Sequence, residues 1–189
     1  SWSDMAFNAA GAGLFVGQEY LWEEQRILVK VSSDIFKRYP ESSLSAADGT
    51  ITTSLQERAN ELYGHSFAER FLKDYNAQTI WASANLRSFA GQNSFWPSWL
   101  NVAVGYGAEN MFGGFGNEWT RDSAVFAVSA DEYPRYRQFY LSLDIDLSRI
   151  KTKSRVLKTL FRCINYVKIP APALEVNTLG KVRFHPLHW

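Results

Sequence analysis

Residues 100–110 read LNVAVGYGAEN and residues 139–148 read FYLSLDIDLS, and these two stretches decide the fold class. In each stretch, large apolar residues take every second position, and polar or small residues take the positions between them. A period of two is typical of a β-strand, because successive side chains point to opposite faces of the sheet. Both stretches therefore predict strands with one apolar face and one polar or small face.

Four further segments extend this pattern: residues 26–31, 80–89, 174–177 and 181–189. They predict a mainly β chain of the α+β class, with an antiparallel sheet that is partly or fully closed into a barrel. Strands of about ten residues have the length that a tilted strand needs to cross a bilayer. The same alternation also fits a half-buried sheet whose apolar face covers a soluble core, so both interpretations stay open.

Residues 1–25 predict a helix that is crowded with alanine and glycine. Leu14, Gly17 and Leu21 recur at steps of three and four residues, which is a helical period. Glycine inside a helix costs about 1 kcal/mol relative to alanine, so three glycines on one helix need a reason. We expect Gly11, Gly13 and Gly17 to allow close packing of another helix or of the sheet.

An insertion at about residues 54–78 predicts two short helices within the sheet region. Ser54 with Glu57, and Ser66 with Glu69, match the capping box that begins many helices. In this motif the serine and the glutamate each satisfy a backbone N–H group of the first turn. We therefore expect one helix to begin after each serine.

The pattern returns to a helical period over residues 153–167. One side of this helix carries the cations Arg155, Lys158 and Arg162. The other side is apolar and comprises Val156, Leu157, Leu160, Phe161, Ile164 and Val167. Basic amphipathic helices bind anionic lipid or acidic partners. We expect the apolar side to dock on the sheet, which leaves the three cations available to such a partner.

Charge is divided unevenly along the chain, whose formal net charge is +1. Residues 151–189 contain eight lysines and arginines and one acid, which gives +7. Residues 1–150 contain 12 cations and 18 acids, which gives −6. A basic end on an acidic protein indicates an anionic partner, for which we expect lipid or an acidic protein surface and not nucleic acid. A solvated basic face near the acidic half remains the alternative explanation.

Composition and motifs exclude several classes of protein. The single cysteine, Cys163, cannot form an internal disulfide and is expected to be a small buried residue. No apolar run reaches the roughly 20 residues of a membrane-spanning helix. The sequence lacks the motifs of serine hydrolases, zinc proteases, nucleotide-binding loops and dithiol redox sites. We therefore predict no enzymatic activity, no catalytic residues and no cofactor.

Two pairs of residues are candidate metal ligands. Asp144 and Asp146 lie two apart on one strand face, where two carboxylates either bind a hard cation or face water or a basic neighbour. His185 and His188 lie three apart, and a regular strand places such positions on opposite faces, so shared metal ligation is not expected. His65 follows a glycine in a predicted turn and is expected at the surface. The sequence thus predicts no metal site.

Several motifs together resemble one family of bacterial proteins. They are a small-residue helix with Ser3-Asp4, Asn8 and Gly11, and the segments LKDYNAQT (72–79), LNVAVGYG (100–107), YLSLDIDLSRIKTK (140–153) and IPAPALE (169–175). The combination is similar to predicted periplasmic or outer-membrane-associated proteins of the Bacteroidetes that form a family of unknown function. The similarity covers most of the chain.

The resemblance implies a location in the bacterial outer membrane or periplasm and carries over no catalytic residues. It also implies an association with an envelope membrane-protein complex, for example as a plug-like subunit of the type 9 secretion translocon. Members carry a further N-terminal helical part, so the chain is expected to be the C-terminal portion of a longer protein.

We predict one domain over residues 1–189, with a helix at 1–25, the sheet at 26–150, and the basic helix and final strands at 151–189. The predicted function is that of a non-enzymatic subunit or plug of an outer-membrane complex. The alternatives are a small outer-membrane barrel and an enzyme that acts on envelope lipid or glycan.

Overall fold

The computed structural model describes residues 2–91 and 93–189, with only the backbone described for Ser3, Asp4 and Phe7. Its strands are β1 (Ile27–Ser33), β2 (Leu44–Ser45), β3 (Thr52–Thr53), β4 (Gln78–Asn85), β5 (Leu100–Glu109), β6 (Glu118–Arg121), β7 (Ala124–Ala127), β8 (Tyr136–Ile145), β9 (Ala171–Asn177) and β10 (Val182–His188). Its α-helices are α1 (Trp2–Trp22), α2 (Leu55–Tyr63), α3 (Phe67–Lys73), α4 (Leu86–Ala90) and α5 (Arg155–Ile164), and a 3₁₀ turn covers Leu147–Arg149.

Six strands form one antiparallel sheet in the order β1-β4-β5-β8-β9-β10, which confirms the predicted α+β fold with an antiparallel sheet. The register of the central pair, β5 and β8, sets Val104 opposite Leu141 and Gly105 opposite Tyr140. Apolar residues therefore share one face of the sheet, and small or polar residues share the other. Among the described residues, the edge strands β1 and β10 do not pair with each other, so a fully closed barrel is not found.

The sheet curls strongly around its polar face. Thr79 on β4 and His188 on β10 are separated by three intervening strands, yet Thr79 Oγ1 and His188 Nε2 are 3.3 Å apart. The rings of Phe36 and Trp189, which follow the two edge strands, also meet, with their centroids 6.2 Å apart. This curvature brings polar side chains from distant strands into one interior.

The larger apolar core is separate from the interior of the sheet. It is built by α2, by the short β2–β3 hairpin and by the β6–β7 hairpin, and its buried members include Tyr39, Leu55, Ala59, Tyr63, Phe112, Trp119 and Phe126. The sequence pattern did not predict the β6–β7 hairpin. Its two turn residues, Asp122 and Ser123, both have positive φ, and this stretch lacks the Asn-Gly or Asp-Gly pair that marks such a turn in a sequence.

The predicted caps of α2 and α3 are present. Ser54 Oγ accepts a hydrogen bond from the backbone N–H of Glu57 at 3.1 Å, and Ser66 with Glu69 forms a complete capping box. The helical insertion between β3 and β4 is therefore confirmed, because both helices begin where their caps are encoded.

The predicted strand at 80–89 is shorter than expected. β4 ends at Asn85, whose side-chain oxygen accepts a hydrogen bond from the backbone N–H of Ser88 at 3.0 Å. This bond caps α4, so Leu86 begins a helix and does not extend the strand.

The N-terminal helix α1 is present, but its glycines do not pack closely within the chain. A Cβ atom built on Gly11, Gly13 or Gly17 meets no described atom within 4 Å. The close packing predicted for these three residues is therefore not found within the described part of the chain. No helix among the described residues is long and apolar enough to cross a membrane.

The basic helix α5 is also present, but its apolar side does not dock on the sheet. Val156 is 76% exposed, Leu160 is 48% exposed and α5 has no buried residue. The helix packs against the 3₁₀ turn that follows β8 instead. Cys163, expected to be buried, is exposed for the same reason. The predicted docking of α5 was therefore wrong.

Candidate functional site

The outer face of the sheet, meaning the side that points away from its curled interior, is apolar and exposed. Val104 on β5 is 56% exposed and Leu143 on β8 is 51% exposed. Other exposed apolar residues of this face are Val29, Ile80, Tyr106, Phe139, Leu141, Leu174, Val176, Val182, Phe184 and Leu187. Soluble monomers rarely expose an apolar surface that extends over several adjacent strands, and such surfaces mark interfaces with membranes or proteins.

The inner face has the opposite character, because its buried side chains are mostly polar. They include Lys30, Ser32, Thr79, Ser83, Asn85, Asn101, Gln138, Ser142, Asp144, Glu175 and Asn177. Trp81 fills the centre of this interior, and a Cβ atom on Gly105 would lie 2.7 Å from its ring. The crowded interior therefore explains why β5 carries a glycine opposite the Trp81 ring.

A buried ion pair lies at the centre of the polar interior. Lys30 Nζ is 2.8 Å from Asp144 Oδ2 and donates to the carbonyl of Ile145 at 2.8 Å. Ser83 Oγ donates to the same carboxylate oxygen at 2.6 Å. A buried charge is costly unless it is paired and hydrogen-bonded. Lys30 meets that condition, whereas Asp144 meets it through Oδ2 only, since Asp144 Oδ1 is buried and has no hydrogen-bond partner among the described residues.

Two asparagines extend this network along the inner face. Asn101 Nδ2 donates to Ser83 Oγ at 2.8 Å, and Asn85 Nδ2 donates to Asn101 Oδ1 at 2.7 Å. Asn85 also donates to the carbonyl of Ser98 at 2.8 Å. The network thus joins β4, β5 and the loop before β5, and it fixes the interior at one end of the sheet.

The residues that follow α5 close this end of the interior. Asn165 Oδ1 accepts from Lys30 Nζ at 3.3 Å, and Asn165 Nδ2 donates to Asp146 Oδ1 at 2.9 Å. Asp146 also pairs with Arg149 at 3.0 Å. Asp144 and Asp146 therefore face basic neighbours, which was the alternative to a cation site. In the described part of the chain, no group of three or more ligating side chains is placed to hold a metal ion.

Lys168 is a second cation inside the sheet, and it has no carboxylate within ion-pair distance among the described residues. Its Nζ lies 4.4 Å from the centre of the Trp81 ring and donates to the carbonyl of Ile169 at 3.2 Å. Burial lowers the pKa of Lys168 to about 8, since the charged form loses its hydration. The aromatic face compensates part of that loss.

A cluster of histidines occupies the other end of the interior. The pairing of β9 with β10 shifts register between His185 and His188, so that both rings lie inside, with centroids 5.2 Å apart. The expectation that they lie on opposite faces was wrong, because a bulge adds a residue to the regular alternation. His185 Nε2 is 2.7 Å from Glu175 Oε2, and the His188 ring stacks on Tyr140 at 4.2 Å.

The chemistry that this cluster can support is proton transfer, since a carboxylate orients an imidazole as in general acid–base sites. An acyl-transfer enzyme also needs a nucleophile beside the imidazole. Among the described residues, the hydroxyl hydrogen-bonded to a histidine is that of Thr79, at 3.3 Å from His188 Nε2. No described serine or cysteine bonds to either ring. His65 is exposed, as expected.

The three cations predicted as a binding face, Arg155, Lys158 and Arg162, are exposed on α5. The sequence did not single out Lys30, Asn85 or Asn101 as members of the interior. The signal that the sequence offered was Lys30 itself. In the alternating pattern of β1, this lysine falls on the face opposite to Val29 and Val31.

Comparison of the chain with protein-family models, with curated proteins and with solved structures gives no match.

Proposed function

We propose that the chain is a non-enzymatic protein of the bacterial outer membrane, whose sheet meets lipid with its apolar outer face. The observation that carries this proposal is the inverted polarity of the sheet: apolar residues are exposed and polar residues are buried. Water favours the reverse arrangement, whereas a lipid solvent favours this one.

Strand geometry supports the same location. β5 and β8 each contain ten residues, and a tilted strand of about 9–11 residues spans the hydrocarbon core. In lipid, every backbone polar group must be satisfied inside the protein. Val31 at the edge of β1 forms a parallel bridge to Val167, which supplies partners for part of that edge. Closure of the curled sheet into a barrel wall is part of the proposal.

The exposed apolar side of α5 supports a position at the membrane surface. An interfacial helix buries its apolar side among the acyl chains and keeps its cations at the headgroups. Leu157 and Leu160 on one side of α5, with Arg155, Lys158 and Arg162 on the other, match that arrangement. In this position the apolar side of α5, which does not dock on the sheet, is buried among the acyl chains.

A role as a subunit of an envelope protein complex belongs to the same proposal. Gly11, Gly13 and Gly17 leave the backbone of α1 open to close approach by another molecule, since a Cβ atom on each would meet no described atom within 4 Å. The family resemblance adds the type 9 secretion translocon as one candidate complex.

Vesicle flotation tests the proposed location directly. The purified chain, refolded from denaturant in the presence of phosphatidylcholine vesicles, should float with them and resist extraction by alkaline carbonate. A chain that remains monomeric and folded in buffer without detergent or lipid would contradict the lipid-facing sheet, and would leave the role of a water-soluble plug.

An enzyme acting on envelope lipid or glycan is the second candidate, and the Glu175–His185 contact of 2.7 Å favours it. The two functions are separated by His185→Gln and His188→Gln, with His65→Gln as an exposed control. A non-enzymatic protein of normal abundance should keep its cellular function in all three variants. Loss of function by an order of magnitude in the first two alone would support the enzyme.

A further inference from the structure

A second site lies where the apolar outer face ends, away from α5. A cavity of about 490 Å³ is lined there by Arg58, Tyr75, Tyr106, Arg135 and Arg137, among others. Arg137 belongs to the outward row of β8 that continues with Phe139 and Leu141. The apolar row therefore runs directly into a cationic cavity, which we call the arginine pocket.

The positive charge of the arginine pocket is only partly compensated. No acidic residue lines the cavity. Arg58 is satisfied, because its Nε donates to the carbonyl of Phe112 at 3.1 Å and its Nη1 pairs with Glu61 at 3.3 Å. The other two arginines of the pocket have no carboxylate partner among the described residues.

The side-chain contacts of these two arginines are weak or incomplete. Arg137 Nη1 lies 3.2 Å from the sulfur of Met111, and a thioether is a weak acceptor. Arg135 Nη2 donates to the carbonyl of Gly114 at 3.1 Å. Arg135 Nη1 is shielded from solvent and finds no acceptor in the described chain. Because Nη1 has no accessible surface, an anion in the pocket would be attracted by the uncompensated charge of the Arg135 guanidinium and would not bond to that atom.

Phosphate is the anion that best fits this arrangement. The planar fork of an arginine side chain matches the oxygens of a phosphate, which it binds through two parallel hydrogen bonds. The ring of Tyr106, which lines the pocket, packs against the ring of Phe139 in the apolar row, with centroids 5.7 Å apart. Aromatic side chains of this kind are enriched at the level of lipid headgroups.

We propose that the arginine pocket binds the phosphate of an anionic phospholipid whose acyl chains lie on Phe139 and Leu141. The proposal rests on the proposed function, since the acyl chains need the outer face to meet lipid. It differs from the site predicted on α5, because Arg137 lies at the beginning of β8 and α5 packs against the turn that follows the end of β8.

Native mass spectrometry of the full chain in detergent micelles tests this proposal, with phosphatidylglycerol and phosphatidylcholine of equal chain length as probes. The wild-type chain should prefer phosphatidylglycerol. Arg135→Gln and Arg137→Gln should each weaken that binding about tenfold, the effect of losing a hydrogen bond to a charged group. Arg137→Lys, which keeps the charge and loses the fork, should fall between. Arg38→Gln, exposed and outside the pocket, should bind as the wild type does.

Three results would overturn the proposal. They are equal binding of the two lipids, unchanged binding by Arg135→Gln and Arg137→Gln, or complete displacement of the lipid by inorganic phosphate, which would assign the pocket to free phosphate. Near-ultraviolet circular dichroism confirms that each variant is folded. Flotation with phosphatidylcholine vesicles is measured for the same variants. Failure of the wild type to float, with its preference for phosphatidylglycerol intact, would refute the proposed location and leave phosphate binding in place.

Discussion

Lys30 and Asp144 form an ion pair that crosses the interior of the curled sheet. Lys30 Nζ lies 2.8 Å from Asp144 Oδ2, and neither side chain has exposed surface. Their strands, β1 and β8, are separated in the sheet by β4 and β5, so the contact spans the interior and does not follow a strand pair. The pair therefore ties an edge of the sheet to its centre.

Asp144→Asn should be strongly destabilising, because it leaves the Lys30 charge buried and unpaired. We expect a loss of about 3–5 kcal/mol in the free energy of unfolding. Urea unfolding in detergent micelles, followed by tryptophan fluorescence, measures it. The exposed Asp48→Asn serves as the control. The double variant Lys30→Met with Asp144→Leu should recover most of the lost free energy of unfolding. An Asp144→Asn variant that is as stable as the wild type would show that the pair is not buried.

Gly105→Ala should destabilise the sheet, since the new methyl group would lie 2.7 Å from the Trp81 ring and 2.9 Å from Thr79 Cγ2. Overpacking of this kind costs about 1–3 kcal/mol. The matched control is Gly116→Ala, where an added Cβ meets no described atom within 4 Å. Thermal unfolding of both variants makes the comparison, and equal midpoints would argue against the close approach of β5 to Trp81.

Val104→Arg should impair membrane insertion if the outer face meets lipid. An arginine near the bilayer midplane costs about 2–4 kcal/mol in a β-barrel wall. Val125→Arg is a matched control, because Val125 is similarly exposed but lies on the β6–β7 hairpin outside the six-stranded sheet. Flotation with vesicles should fall for the first variant only. Equal recovery of both would show that Val104 does not contact lipid.

Asp74 should make the stability of the chain decrease as the pH rises from acid values. Burial raises the pKa of its carboxyl group, although Tyr39 donates a hydrogen bond of 2.6 Å to Asp74 Oδ1. The folded state therefore favours the protonated form. Its stabilising contribution is complete below the unfolded pKa and is lost as the pH rises through the folded pKa.

Asp74→Asn, which keeps an oxygen for Tyr39, should remove this dependence. Urea unfolding at a series of pH values between about 3 and 8 compares the variant with the wild type. Superimposable pH profiles would mean that Asp74 does not titrate with a raised pKa. Tyr39→Phe removes the hydrogen-bond donor to Asp74 and leaves the carboxyl group in place. This variant should lose about 1–3 kcal/mol in the free energy of unfolding.

Arg155→Glu combined with Lys158→Glu should weaken association with anionic lipid or an acidic partner while sparing the fold, because exposed charges contribute little to stability. The association of the wild type should also weaken with salt. Dissolved ions shorten the range of attraction between exposed charges to about 8 Å at physiological ionic strength, and to less at higher salt. Co-purification with envelope membranes at low and high salt measures both effects. Unchanged recovery of a folded variant would show that this face is merely solvated.

Local pattern was sufficient to predict where most elements of secondary structure lie. The period of two located the long strands, and the caps Ser54 and Ser66 located two helices, because these signals depend on neighbours along the chain. The end of β4 was missed because the side chain of Asn85 turns back to cap α4. The inward orientation of both His185 and His188 was missed because the bulge in β10 interrupts the alternation.

The sequence by itself determined that the strands have an apolar and a polar face, since alternation is a property of neighbouring residues. It did not determine which face lies inside, because the same alternation fits a sheet in water and a sheet in lipid. Tertiary structure decided this point through contacts between residues distant in sequence. Lys30 meets Asp144 across the interior, Trp81 fills the space above Gly105, and no part of the described chain covers the row of Val104 and Leu143.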